Sequence, residues 1–479
     1  MKIEFRSFLK RVAVCVGISW LGLALALPAA WAWRLEEYPL AAGNGPNGIT
    51  LGPDGNIWFI QINDSGDSVA RISPDGQEIV AYPTLTPLSG PERLITGPDG
   101  NIWFTEWDVS QVGVIAPDGS DQMEFATPTQ PSNPAGIIVA SDGNLWFAED
   151  RANSLAMITL DGVITEYPLP TPNAHPFYIC NGPDGNIWFV EFAADQIGRF
   201  DPVTKAFDEF PILTPNAGPN DIVTGSDGNL WFTEGDNNLI GRIAPDGSGM
   251  VEFPIPTADS VPFGIVAGAD GNLWFTEFIG NNIGVMNTSG DVLMEIPLAT
   301  ADAWPLSLAL DGVGNVWFTE LQGEKIGEII FALFQITAAD FTVPVGTTTF
   351  TYQVVRDQDS THEDTVEVYT MDGSAVAGVD YVAQQSMLTF SPGETMKELS
   401  IQVLDNPNAA GDRSFTLNLR NPSFGVLLGD SQTVTLASPG GGGCGLTGAS
   451  TLSGSTYLLG LAIGFAWLLL RKKITPQST

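Results

Sequence analysis

Short runs of consecutive apolar residues alternate along the chain with polar turns rich in Gly, Pro, Asp and Asn. In the run Ile57–Phe59 every side chain is apolar, although neighbouring side chains on a strand point to opposite faces of the sheet. Such a strand must be covered on both sides. Tight-turn pairs such as Asp270-Gly271 precede these runs and favour hairpins. The pattern predicts an all-β chain built from short antiparallel strands.

The apolar runs recur with a fixed period. Each contains one tryptophan in a phrase close to D-G-N-L-W-F-T-E, and successive tryptophans are 42 to 45 residues apart: Trp58, Trp103, Trp146, Trp188, Trp231, Trp274 and Trp317. Each period holds four strand patterns, which is typical of one propeller blade. The sequence therefore predicts a seven-bladed β-propeller over residues 33–331.

The two ends of this repeat region complement each other. The seventh unit stops after Lys325–Ile330 and lacks the E-(F/Y)-P phrase that ends the other units. That phrase stands instead at the other end, in Leu35–Leu40, which closely matches Ile164–Leu169. We expect the N-terminal segment to supply the outer strand of the seventh blade, so that the ring closes without an open edge.

A second domain follows from about Phe334. Alternating strand patterns such as Phe350–Arg356 and Lys397–Val403 indicate a smaller β-sandwich over residues 334–437. The phrases G-V-D-Y at 378–381 and L-T-F-S-P-G-E at 388–394 resemble the Calx-β family. The resemblance implies calcium binding by carboxylates, with Asp380, Asp405 and Asp412 as candidate ligands, and a role in adhesion or spacing. From the residues themselves we expect a metal-free structural sandwich, with calcium binding as the alternative.

Both ends of the chain have the composition of targeting segments. Residues 1–32 combine basic residues, an apolar run and the small-x-small pattern Ala30–Ala32, which is typical of a secretory signal peptide; a retained N-terminal anchor is the alternative. A glycine-rich linker with Cys444 occupies residues 438–450, and residues 451–473 form an apolar segment with a basic end. This tail resembles a Gly-Gly-type bacterial sorting signal, with a single-pass membrane anchor as the alternative. We expect an exported protein displayed at the cell surface, either anchored or released by processing.

Charge and cysteine content further limit the kinds of partner and the kind of stabilisation that we expect. The net charge of −36 argues against binding nucleic acid, whose phosphates need a basic surface. It fits a soluble exported surface that can collect cations, and we expect a monomer with an unknown extracellular ligand or surface partner. Outside the leader only Cys180 and Cys444 remain, too few for a disulfide framework.

The repeat phrases P-x-G-I, D-G-N-L-W-F-T-E and N-x-I-G-R-I resemble the streptogramin B lyase (virginiamycin B lyase) family. The resemblance implies elimination on cyclic depsipeptides with Mg²⁺, a Glu-x-His phrase at the start of a first strand and a second Glu at the end of the next strand. The His position lies fourteen residues before the second-strand carboxylate. In the seven units it holds Asn47, Glu92, Ala135, Phe177, Asn220, Phe263 and Leu306. The catalytic phrase is therefore missing, and His175 stands two positions too early.

Two sets of residues remain as candidate sites. The first is the repeated second-strand carboxylates, which could form a Mg²⁺- or Ca²⁺-binding ring at one mouth or have local partners in each blade: Glu106, Glu149, Glu191, Glu234, Glu277 and Glu320. The second set departs from the repeat at strand ends, where propeller loops bind ligands: Glu92, Trp107, Asp108, His175, Tyr178, Asn220, Asp221 and Trp304. These residues favour a ligand-binding or adhesion scaffold that lacks the intact Glu-x-His motif of the lyases. The alternative is a lyase-like or metal-dependent lactone-cleaving enzyme that uses carboxylates at the propeller mouth.

Overall fold

The computed structural model describes residues 33–331, 333–356, 364–391, 393–406, 411–420, 426–427 and 431–438. The expected signal peptide, Cys444 and the apolar segment 451–473 lie outside these residues. Within the described part of the chain, no helix is long and apolar enough to cross a membrane.

Seven four-stranded antiparallel sheets follow one another, as the period predicts. In blades 1 to 6 the strands run in chain order. They are β2 (Gly45–Leu51), β3 (Ile57–Ile62), β4 (Ser68–Ile72), β5 (Ile79–Pro83), β6 (Pro91–Thr96), β7 (Ile102–Glu106), β8 (Gln111–Ile115), β9 (Met123–Ala126), β10 (Pro134–Val139), β11 (Leu145–Glu149), β12 (Ser154–Ile158), β13 (Ile164–Pro168), β14 (Pro176–Asn181), β15 (Ile187–Glu191), β16 (Gln196–Phe200), β17 (Phe207–Pro211), β18 (Pro219–Thr224), β19 (Leu230–Glu234), β20 (Leu239–Ile243), β21 (Val251–Pro254), β22 (Pro262–Ala267), β23 (Leu273–Glu277), β24 (Asn282–Met286) and β25 (Val292–Pro297). The first strand of each blade contacts the first strands of both neighbouring blades, so these strands form the closed inner ring.

The seventh blade is closed by the N-terminal segment. Its strands are β26 (Pro305–Leu310), β27 (Val316–Glu320), β28 (Lys325–Phe331) and β1 (Trp33–Pro39), and β1 pairs antiparallel with β28 over seven residues. The prediction of a closing strand is thereby confirmed. The Tyr38 ring stacks on the buried Trp317 with 5.6 Å between ring centroids, and its hydroxyl donates to Glu328 at 2.8 Å. The two distant ends of the propeller are therefore held in one sheet.

The repeated tryptophans join the turns to the core. All seven are fully buried, and their indole N–H groups donate to an aspartate of the preceding turn, as Trp58 does to Asp54 at 3.0 Å. Trp58 packs with Leu94, Ile102 and Phe104 of the next blade. Apolar side chains on both faces of the second strand are thus covered by adjacent blades, which explains the unbroken apolar run.

Two sheets with their own core form the C-terminal sandwich. One sheet has the order β34-β31-β29-β36 and the other the order β30-β37-β35-β32-β33. The strands are β29 (Leu333–Thr337), β30 (Thr342–Val343), β31 (Thr349–Arg356), β32 (Asp364–Asp372), β33 (Gln385–Phe390), β34 (Met396–Gln402), β35 (Arg413–Arg420), β36 (Val426–Leu427) and β37 (Ser431–Leu436). Aromatic side chains such as Phe334, Tyr352 and Phe415 fill the space between the sheets. The all-β prediction of a propeller and a smaller sandwich is confirmed.

Candidate functional site

Each first strand has a proline at its first position, or at its second in β2, and carries an irregularity in register immediately afterwards, as between Pro91 and Leu94 in β6. The second residue after the proline is Gly in three blades, and there neighbouring first strands approach closely. A Cβ atom at Gly136 would lie 2.8 Å from the Tyr178 Cα, and one at Gly264 would lie 2.5 Å from the Leu306 carbonyl oxygen. The other four blades carry larger residues at this position: Arg93, Tyr178, Asp221 and Ser307.

These four larger residues meet in one network, which we call the Arg93 network. The Arg93 Nη2 lies 2.9 Å from Asp221 Oδ2, and its Nη1 donates to Ser307 Oγ at 2.9 Å. Its guanidinium lies over the Tyr178 ring, 3.9 Å from the centroid. One arginine of blade 2 therefore contacts blades 4, 5 and 7. Sequence reasoning missed Arg93 and Ser307, although both replace the glycine of the P-x-G phrase.

Glu92 extends the network from the adjacent position. Its carboxylate accepts from the Tyr178 hydroxyl at 2.7 Å and from the Asn47 amide at 2.8 Å. Burial raises the pKa of Glu92, against the opposing effect of these hydrogen bonds, and burial likewise raises the pKa of Asp221, against Arg93. Three predicted ligand contacts, Glu92, Tyr178 and Asp221, are thus brought together. Glu92 and Tyr178 are buried and bond to each other, while Asp221, whose side chain is 13% exposed, pairs with Arg93.

Aromatic side chains cover one end of this network. The Phe263 ring lies 6.3 Å from Phe177 and 6.1 Å from Tyr178, both edge to face, and 6.2 Å from Phe278. Phe263 is 4% exposed. Around this centre Trp304 packs on Phe278 at 5.3 Å, and Trp107 packs edge-on against Phe177 at 6.0 Å. Both tryptophans predicted as ligand contacts therefore belong to the rim of an aromatic cluster.

The remaining members of the predicted ligand set lie apart from one another. Asn220 is buried and donates its amide to the Pro262 carbonyl at 3.1 Å. Asp108 is exposed, and its backbone N–H donates to the Ser89 carbonyl at 3.0 Å. The His175 Nδ1 lies 2.8 Å from Asp150 Oδ1, and this hydrogen bond raises the pKa of His175. His175 links blades 3 and 4 with its ring 40% exposed.

The residue just before the first-strand proline adopts a left-handed backbone in six blades, with φ between 53° and 60°: Gly90, Asn133, His175, Gly218, Val261 and Trp304. In Val261 the value is 54°. A β-branched residue in this region is strained, because its Cβ crowds the backbone. The strained position is the one where the resemblance implies the Glu of the Glu-x-His phrase.

The six second-strand glutamates do not form a ring. Each is fully buried, and the acidic group with the largest effect on it is the outer-strand glutamate of its own blade, as Glu124 is for Glu106. In the described residues no group of three or more acidic, His or Cys side chains could hold a metal ion. The ring hypothesis is corrected because the first strands, and not the second, line the centre. The alternative predicted local backbone or Asn hydrogen bonds within each blade, and Glu277 has such a partner in Asn282 at 2.9 Å.

Two of the three calcium candidates of the sandwich, Asp380 and Asp412, have other partners. Asp380 is 2% exposed and forms an ion pair with Arg413, while Asn406 donates to its Oδ1 at 2.6 Å and the Val376 N–H to its Oδ2 at 2.8 Å. Asp412 accepts from the Ser438 N–H at 2.9 Å, and Asp405 is exposed. Arg413 thus supplies the positive charge at Asp380 that a cation would otherwise bring.

The two domains match two families of known proteins. The virginiamycin B lyase family matches residues 32–147 and 121–346, and the Calx-β domain matches residues 331–439. A streptogramin B lyase structure is 34% identical, covers 63% of this chain and 99% of its own, and has a TM-score of 0.59. A catalytically inactive histidine-to-alanine variant of the Staphylococcus aureus virginiamycin B lyase, with quinupristin, is 35% identical, covers 62% and 99%, and has a TM-score of 0.58.

The sandwich has curated relatives of a different kind. The Drosophila melanogaster sodium/calcium exchanger Calx is 37% identical over 87 residues, which is 18% of this chain and 9% of the exchanger. The match therefore concerns one domain of a much longer protein.

Fold and site define a lyase-like seven-bladed propeller followed by a Calx-β domain. The chain belongs to the virginiamycin B lyase family. The residues present do not fit the Mg²⁺ and general base that this family implies. Phe263 and Leu306 are buried apolar side chains at two of the His positions, and Val261 and Trp304 stand at the matching Glu positions.

Proposed function

We propose that this protein is a surface-displayed binding or adhesion scaffold in which a lyase-like propeller has lost catalysis. The observation that carries the proposal is Phe263, a buried phenyl ring where the family implies a general base. An elimination needs a group that can accept a proton near neutral pH, and a phenyl ring has none. The Calx-β domain then acts as a spacer that presents the propeller outward.

The inner ring supports a structural rather than catalytic centre. Arg93 and Asp221 form an ion pair, and Glu92 accepts hydrogen bonds from Tyr178 and Asn47, so these polar groups already have partners within the protein. Partner recognition is then assigned to the exposed loop residues of the same mouth, such as Asp108 and His175. The sequence tail supports export and display.

The test is depsipeptide ring opening. Full-length protein is incubated with quinupristin and Mg²⁺, and the products are followed by mass spectrometry, with the Staphylococcus aureus lyase as positive control. We expect no ring opening. Metal-dependent opening by the unmodified protein would establish the rival, an enzyme that uses other carboxylates.

A matched variant distinguishes two explanations for missing activity: loss of the catalytic residues alone, or a propeller that does not bind the substrate. Val261→Glu with Phe263→His rebuilds the Glu-x-His phrase, and Glu277 already stands fourteen residues after residue 263. We expect the double variant to bind Mg²⁺ in calorimetry more tightly than the parent does. Gain of ring opening by the double variant alone would identify the single phrase as the missing part.

A further inference from the structure

A pair of carboxyl groups, one fully buried and one partly exposed, recurs in six blades, and we call these sites the glutamate pockets. Each contains the second-strand Glu, the outer-strand Glu of the same blade and a Thr from the incoming connection. In blade 5 the Thr214 N–H and hydroxyl donate to Glu252 at 2.8 and 2.6 Å. The outer glutamate is thereby held, while both oxygens of Glu234 are buried and make no hydrogen bond of normal geometry in the described residues, where the Asn237 side chain interacts with this carboxyl group.

Blade 1 shows that the three groups belong together. It has Gln61 in place of the second-strand Glu, Ala81 in place of the outer Glu and Ala42 in place of the Thr. All three polar groups are therefore lost in the same blade. Gln61 is 4% exposed and accepts a hydrogen bond from Ser68 at 3.0 Å, so an uncharged amide fits the same position.

Blade 7 shows what can neutralise the pocket. The Lys325 ammonium lies 2.5 Å from both the Glu37 carboxylate and the Thr300 hydroxyl, and its charge also acts on Glu320. The residues at the Lys325 position in blades 2 to 6 carry no charge: Gln111, Ser154, Gln196, Leu239 and Asn282. Five pockets therefore hold two carboxyl groups without this internal cation.

We propose that the pockets of blades 2 to 6 each keep one proton at neutral pH, and that loss of these protons in alkali loosens the propeller at the seams between blades. An unpaired carboxylate is costly to bury, so it takes up a proton unless a cation is supplied. The acidic groups acting on Glu234 are Glu252 on β21 and Asp195 from the preceding blade. Burial, helped by these groups, raises the pKa of Glu234 to about 8.

The test follows the melting temperature of the full-length protein from pH 5 to pH 9. Tryptophan fluorescence reports mainly on the propeller, because ten of the thirteen tryptophans lie within residues 33–331 and residues 334–437 contain none. We expect the decrease of the melting temperature between these pH values to be smaller by about 2–4 °C in Glu234→Gln than in the parent. Leu239→Lys, which copies Lys325 into blade 5, should likewise make the decrease of the melting temperature smaller. Lys325→Met should make it larger.

Two results would overturn the proposal. One is an equal pH dependence in the parent, Glu234→Gln and Leu239→Lys. The other is an effect of metal ions: millimolar Ca²⁺ or Mg²⁺ raises the melting temperature of the parent at pH 9 but not that of Glu234→Gln. The pocket would then hold a metal ion. Glu149→Gln in blade 3 provides a second variant if Glu234→Gln does not fold.

Discussion

Arg93 and Asp221 are 128 residues apart in sequence, yet their side chains form an ion pair of 2.9 Å at the centre of the propeller. Both side chains are largely buried, 14% and 13% exposed. The pair joins blade 2 to blade 5, and Ser307 and Tyr178 tie the same guanidinium to blades 7 and 4. Four departures from the repeated glycine thus form one contact set.

Removing Arg93 should be costly for the propeller. Arg93→Met leaves Asp221 buried without its counter-charge, and we expect a loss of about 3–5 kcal/mol in the free energy of unfolding. Urea denaturation followed by tryptophan fluorescence measures it. Arg71→Met is the control, since the Arg71–Asp54 pair is more exposed and should contribute about 1 kcal/mol or less. Equal losses in the two variants would contradict the central role of the network.

Relieving the strained backbone at Val261 should stabilise the protein. Val261 has φ of 54°, which glycine adopts without a steric penalty. We expect Val261→Gly to raise the free energy of unfolding by about 1 kcal/mol, despite the added flexibility of the unfolded chain. Val266→Gly, within the regular part of β22, should lower it instead. A destabilised Val261→Gly would show that contacts of the valine side chain outweigh the strain.

The His175–Asp150 pair should stabilise the protein only at lower pH. The hydrogen bond to Asp150 raises the pKa of His175 above the 6.5 of the unfolded chain. The stabilisation is therefore fully present below pH 6.5 and is lost as pH rises through the higher folded value. We expect the melting temperature of His175→Gln to fall below that of the parent at pH 5.5 and to approach it at pH 9. A difference that does not change with pH would contradict this.

The sandwich should be insensitive to calcium while Arg413 is present. We expect EDTA and millimolar Ca²⁺ to leave hydrogen exchange of the Val376–Asp380 segment unchanged, because Arg413 already neutralises Asp380. Arg413→Ala should speed exchange in that segment by exposing the unpaired carboxylate to water, and Ca²⁺ should partly reverse the effect. Calcium-dependent protection in the parent would instead assign Asp380 to a metal site.

Much of the architecture could be predicted because it rests on local chemistry. The Asp-Gly turns, the Trp at a fixed period and the E-Y-P phrase at Leu35–Leu40 each report a strand or turn within a few residues. The repeat identifies the second-strand glutamates as one set, but it does not show where their side chains point. The period shows which strand carries a side chain. The surroundings of that side chain depend on how neighbouring blades pack.

The sequence by itself determined the number of blades, their strand order, the closing role of Trp33–Pro39 and the absence of the Glu-x-His phrase. These features follow from hydrophobic periodicity and from residue identity at fixed positions. Only the tertiary structure decided that Arg93 pairs with Asp221, that Phe263 packs into an aromatic cluster and that Arg413 neutralises Asp380. Such contacts join residues far apart in the chain, and their geometry exists only after the ring and the sandwich have closed.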